Sequence, residues 1–224
     1  MMKHYTQSSA AFAAAKAAQI IADLLNEALS SRPMASVAFS GGSTPNRMFQ
    51  YLAQQQIDWS RVEIFQVDER IAPAGDPARN LTALQRHLLD HIDIPHQQIH
   101  AMPVEASDLD KSLESYASQL KTAAGNPLHL DIIHLGLGND GHTASLPPGD
   151  DVLNSNRLVD ICADFNGYRR ITLTYPVLNQ ARSIIWLVTG IDKKSMLERL
   201  LIGDTKIPAG MINQERAILV SSVG

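Results

Sequence analysis

One cysteine, Cys162, stands among 224 residues, so no internal disulfide can form. The chain therefore needs no oxidising compartment and fits a reducing, cytoplasmic one. It also lacks a cationic excess: 19 Lys and Arg face 23 Asp and Glu, a formal charge of −4. That excludes the broad basic surface of a nucleic-acid binder. No apolar run approaches the ~20 residues of a membrane helix. The longest, Ile184 to Val188, suits a buried strand. No Gly-x-Ser-x-Gly elbow is present, so serine hydrolysis has no nucleophile. A Walker loop and a Gly-x-Gly-x-x-Gly fingerprint are also missing, and nucleotide binding gains no support. His87 and His91 have helical i, i+4 spacing without a zincin pattern, which leaves no metal site to predict.

What is present is a globular composition, with 45% hydrophobic and 19% charged residues. The length predicts a single domain over residues 1–224. Helical and strand-like segments alternate throughout. Helices are expected over 8–29, from Thr44 as N-cap, and over 80–91, 107–122 and 192–201. Strands are expected over 35–39, 61–67, 99–102, 130–135, 157–162, 170–174, 183–189 and 217–221, with a turn at Asn166-Gly167. Residues 68–79 read as a loop, and an Ala-rich N-terminus reads as helix, not as a signal peptide. Continuous apolar strands between helices predict an α/β fold: a Rossmann-like, three-layer arrangement with a mostly parallel central sheet covered by helices on both faces. Ligands in such sheets bind beyond the carboxyl ends of the strands.

Four turns at those ends carry chemistry. Ser40-Gly41-Gly42-Ser43-Thr44-Pro45 joins a strand to a helix. Gly41 and Gly42 let backbone approach a ligand, and Ser43, Thr44 and the helix start offer donors to an anion. A tight turn with an N-cap explains the same residues. Asp68-Glu69-Arg70 puts three charges directly after a strand, either as a polar wall or as a solvated salt bridge. Gly136-Leu137-Gly138-Asn139-Asp140-Gly141-His142 is the most specific segment. A histidine on such a loop suits general base work, and Asp140 two residues away suits holding its tautomer. Thr189-Gly190-Ile191-Asp192-Lys193-Lys194 brings a lysine to the same rim, and Arg169 or Arg170 supplies a second cation.

Taken together, residues 39–45, 67–70, 136–146, 170–174 and 189–193 resemble the 6-phosphogluconolactonases in content and order. The resemblance spans about residues 37–211. It implies hydrolysis of 6-phospho-D-glucono-1,5-lactone to 6-phospho-D-gluconate, the second step of the oxidative pentose phosphate pathway, with no cofactor. It implies a small-molecule phosphorylated lactone as the partner, no nucleic acid or membrane, and a monomer or small homo-oligomer. By position it makes His142 catalytic, with Asp140, Asp68 and Arg70 around it. Ser43, Thr44, Arg170 and Lys193 fall in the substrate and phosphate region, beside Gly41 and Gly42. The related glucosamine-6-phosphate deaminases share the glycine loop and the Asp-Gly-His. They follow the His with Asn-Glu-Pro, whereas this chain has Ala144-Ser145-Leu146-Pro147. They also carry Asp-Glu-Tyr in place of Asp68-Glu69-Arg70. A non-catalytic sugar-phosphate sensor is the remaining alternative. Three departures from the lactonase pattern stand out: Pro147 for an aromatic residue, Arg79 for a serine, and an end at Gly224 that predicts a shortened last element.

Overall fold

The structure, a computed structural model, describes residues 2–223. Its frame is a seven-stranded sheet in which every neighbouring pair is parallel. In chain order these strands are β1 (Lys3–Thr6), β2 (Ala35–Phe39), β3 (Val62–Gln66), β5 (Ile99–His100), β6 (Ile132–Leu135), β9 (Ser183–Thr189) and β10 (Ala217–Ser222). Across the sheet the order is β1-β10-β9-β6-β2-β3-β5. A second, antiparallel sheet holds β4 (Asp68–Arg70), β8 (Tyr168–Leu173) and β7 (Val159–Phe165) in that order.

The two faces of the large sheet are covered differently. One carries α1 (Ala10–Ser31), α2 (Ser43–Leu52) and α3 (Asn80–His87). Ser9 caps α1 by accepting from the Phe12 N–H, and a stripe of Ala13, Ala14, Ala17 and Ala18 lets that helix lie close to the strands. The other face carries α4 (Leu109–Ala124), the short α5 (Tyr175–Leu178), α6 (Lys194–Leu201) and the small sheet. They pack through Leu113, Tyr116, Val177, Leu197, Leu200, Ile171 and Leu173. One covering layer is thus part helix and part antiparallel sheet, which corrects the expectation of helices alone on both faces: β4, β7 and β8 pair with one another and present Ile171 and Leu173 to the core in place of a helix.

Two local expectations are corrected and one element is added. Asp68–Arg70 is a strand rather than the start of a loop, because β8 offers it an antiparallel partner that no local pattern announces. The helix after the glycine loop begins at Ser43, with Gly42 rather than Thr44 as its N-cap. Gly42 has φ of 123°, where a side chain would be strained, and Pro45 lies within the first turn, where a missing N–H costs nothing. β1 adds a strand that its own residues, poor in apolar side chains, do not signal; it forms because β10 presents an unpaired edge.

β2 connects through α2 to β3 on one side, whereas the chain leaving β6 goes to strands on the other. The crevice between β2 and β6 is therefore the topological switch point. The loops that diverge there are the glycine loop after β2 and the Gly136–His142 segment after β6.

His134, on β6 beneath this crevice, is fully buried, and neither ring nitrogen has a partner among the described residues. Burial pushes its pKa down to about 3 from 6.5. A depressed histidine pKa contributes stability that is complete above 6.5 and lost as pH falls toward about 3, because only the unfolded chain takes up the proton. Between pH 7 and pH 5 this group alone should cost about 2 kcal/mol. Urea unfolding at the two pH values should show that loss in the wild type, and His134→Leu should abolish it.

Candidate active site

The loop after β6 turns back on itself to present the histidine. Gly138 N–H donates to the His142 carbonyl at 2.8 Å, and Gly141 adopts φ of 86°. The His142 Nδ1 lies 2.5 Å from Asp140 Oδ1, and the His142 backbone N–H donates to the same oxygen at 3.1 Å. With Nδ1–H given to Asp140, the lone pair resides on Nε2. Partial burial pushes the Asp140 carboxyl up, but the two donations from His142 and its charge outweigh that and hold it below the usual range. The carboxylate therefore stays ionised and keeps the imidazole in one tautomer.

This geometry depends on a glycine whose local pattern suggests only a flexible turn. A Cβ on Gly138 would stand 2.0 Å from His142 Nδ1 and 2.7 Å from Asp140 Oδ1. Gly138→Ala should therefore displace the ring and lower kcat about 10- to 100-fold, since displacements near 1 Å cost that much. Thermal melting should show the variant folded.

His142 opens onto a cavity of about 240 Å³ at the switch point. All ten residues singled out from the sequence converge around it. Gly41, Gly42, Ser43, Thr44, Asp68, Arg70, His142, Arg170 and Lys193 line it, and Asp140 stands behind His142. Thr44 Oγ1 is 2.9 Å from Thr189 Oγ1, which ties the start of α2 to the end of β9. Of the two candidate lysines, Lys193 reaches the cavity, because a 3-10 turn at Ile191–Lys193 precedes α6; Lys194 is exposed on the helix.

Arg170 is buried, its Nε has no partner among the described residues, and it lines the cavity. Burial and the nearby Arg70 lower its pKa, yet a guanidinium remains a cation. Asp68 is fully buried opposite these arginines. Burial pushes its carboxyl up, opposed but not cancelled by Arg70, by the Ser145 hydroxyl at 2.7 Å and by Arg170.

Around these groups stands a layer to which the motifs assign no separate role, and one member, Asn80, also lines the cavity. Asn80 Nδ2 donates to the Asp68 carbonyl at 2.8 Å, and Arg70 Nη1 donates to Asn80 Oδ1 at 2.6 Å. A Cβ on Gly41 would fall 1.9 Å from that same Oδ1, so Gly41 is small to admit Asn80 as much as to admit a ligand. Glu69, wholly buried, accepts from Gln66 Nε2, from its neighbour Arg70 N–H, and from the Asn80 and Leu81 N–H groups that open α3. Arg79 Nε lies 3.0 Å from it. The arginine at position 79 is thus a buried structural partner and does not line the cavity. The signal for Glu69 was its place in the charged run; nothing local separates it from Asp68.

Beyond Asp140 lies a second, wider hollow of about 880 Å³ lined by Pro147, Asp150, Asp160, Asp164 and Phe165. Pro147 lines this hollow and is not among the residues that line the His142 cavity. His100 pairs with Glu63 at 2.5 Å. Among the described residues, no group of three or more His, Cys, Asp or Glu is placed to hold a metal ion. None of the described helices is long and apolar enough to cross a membrane.

Residues 8–220 match the family of glucosamine-6-phosphate isomerases and 6-phosphogluconolactonases. The chain belongs to this family. A 6-phosphogluconolactonase of Synechocystis is 36% identical over 178 residues, covering 77% of this chain and 74% of the relative. One from Nostoc is 32% identical over 213 residues, covering 92% and 88%. The crystal structure of the Thermotoga maritima 6-phosphogluconolactonase superposes with a TM-score of 0.88 over 99% of both chains, at 24% identity, which speaks for the fold. The family's fold is the expected α/β one with a mostly parallel central sheet. Its name covers two chemistries, so the choice between them rests on residues at the site.

Proposed function

We propose that this protein hydrolyses 6-phospho-D-glucono-1,5-lactone to 6-phospho-D-gluconate in the oxidative pentose phosphate pathway, and that residues 1–224 act as one catalytic unit. The His142–Asp140 pair, held at 2.5 Å on the rim of a cationic cavity, supports the base that either family chemistry needs, and the observation that carries the lactonase reading is the segment that follows it, Ala144-Ser145-Leu146-Pro147. The Synechocystis and Nostoc relatives are lactonases over most of this chain. No carboxylate stands at residues 144–147, where the deaminase pattern has its glutamate, and Ser145 is instead buried against Asp68.

A δ-lactone is an activated ester, so water suffices as nucleophile. His142 Nε2 takes a proton from that water as its oxygen attacks C1. The C1 carbonyl becomes an oxyanion, stabilised by Arg70 or by glycine-loop N–H groups. Collapse breaks the bond from C1 to the ring oxygen, and the imidazolium returns the proton to that leaving oxygen. Asp140 balances the imidazolium meanwhile. The phosphate is held by the N–H groups at the start of α2, with Ser43, Thr44, Arg170 and Lys193. Binding energy spent there positions a carbon several bonds away. The single cysteine suits a cytoplasmic setting, and monomer or small homo-oligomer is the expected state.

The deciding experiment supplies freshly generated lactone, couples 6-phosphogluconate to its oxidation, and subtracts spontaneous opening. Turnover well above background is expected. A rate equal to background would overturn the proposal, and ammonia release from glucosamine 6-phosphate would replace it with the deaminase.

A further inference from the structure

We infer that Phe165 is a positioning residue, a wedge that holds the His142 imidazole against Asp140. The inference rests on the reading of His142 as the catalytic base. Its foundation is the hairpin between β7 and β8. Asn166 and Gly167 have φ of 54° and 81°, the paired positive values of a tight two-residue turn, and Phe165 pairs with Tyr168 across it. In an unbroken strand, Phe165 would lie three residues from buried Cys162 and so face away from it. The ladder instead shifts register between Cys162 and Phe165, with Ala163 and Asp164 both exposed. An extra residue in a strand re-aims the side chains beyond it. The shift turns Phe165 back toward the protein.

There the ring meets both halves of the site. Its centroid is 4.9 Å from that of His142, with the planes at 78°. The Arg170 guanidinium lies over the same ring at 5.0 Å. Phe165 also lines the 880 Å³ hollow on the far side, beside Asp140. The ring and Asp140 thus both border that open hollow, while His142 lines the smaller cavity. Among the described residues, Asp140 is the only hydrogen-bond partner of the imidazole. Packing against Phe165 supplies the restraint that one hydrogen bond cannot, since a bond at Nδ1 leaves the ring free to swing about it. Arg170 on the ring keeps the wedge itself from turning.

Phe165→Ala, Phe165→Leu and Phe165→Tyr would be compared with the wild type and with His142→Ala. Loss of one aromatic pair should lower kcat about three- to tenfold in Phe165→Ala, with a smaller change in KM. Phe165→Tyr should restore kcat to within about twofold. In the His142→Ala background, Phe165→Ala should cause no further loss, because its effect passes through the imidazole. An equal loss in both backgrounds would overturn the inference. Nitrogen-15 signals of the His142 ring provide a readout independent of turnover. One tautomer should dominate in the wild type and in Phe165→Tyr, and the preference should weaken in Phe165→Ala. Unchanged ring signals would overturn the wedge whether or not the lactone is hydrolysed. If Phe165→Ala does not fold, Phe165→Leu carries the same expectations. Altered ring signals in a protein with no lactonase activity would support the wedge and overturn only the proposed function.

Discussion

His142→Ala is expected to lower kcat at least a hundredfold while the protein stays folded. General acid–base help contributes ~10²–10⁴-fold, and in the proposed mechanism His142 serves twice, once on the attacking water and once on the leaving oxygen. The substitution removes the 2.5 Å contact to Asp140 but leaves the backbone N–H that also reaches that carboxylate. The loop retains its Gly138 to His142 backbone bond, so the fold has no reason to fail. KM should move little, because the phosphate contacts proposed above lie on α2, β8 and the turn before α6. Steady-state kinetics with background subtraction and a thermal melt test both halves. Near-normal turnover would remove His142 from the mechanism.

Glu69→Ala should be the most destabilising single change near the site. Its carboxylate accepts four hydrogen bonds and faces the buried Arg79 guanidinium, all away from water. Breaking a buried pair from one side costs ~3–5 kcal/mol, because the remaining charge stays buried without a partner. For a chain of this size the melting temperature should fall by on the order of 10 °C. Activity should fall with it even below the melting point. Asn80 and Arg70 lose their anchor, and Arg70 borders the cavity. A melt within about 2 °C of the wild type would show that the carboxylate is not the keystone of this corner.

The contrast between these residues explains what could be read from the chain. His142 and Asp140 lie two apart on one glycine loop, so their pairing is local and legible. Gly41, Gly42, Ser43 and Thr44 likewise form one turn, and their chemistry follows from their order. Continuous apolar strands such as Ile184 to Val188 announced the parallel sheet. Glu69, Asn80 and Ser145 are different. Glu69 and Asn80 meet across an intervening loop, and Ser145 meets Asp68 across 77 positions. Nothing in either segment alone tells a buried bond from a solvated one. Asp68–Arg70 looked like loop for the same reason: a three-residue strand exists only because β8 lies alongside it.

The sequence by itself determined the α/β class, the loops that carry the chemistry and the residue types in them, because helix and strand periodicity and turn chemistry are local properties. Tertiary structure alone decided that these loops share one switch point, that Lys193 rather than Lys194 faces the cavity, and that Phe165 stands against His142. Each of those outcomes depends on strand order, on a 3-10 turn or on a one-residue shift of register. Such features direct side chains only once distant segments have paired.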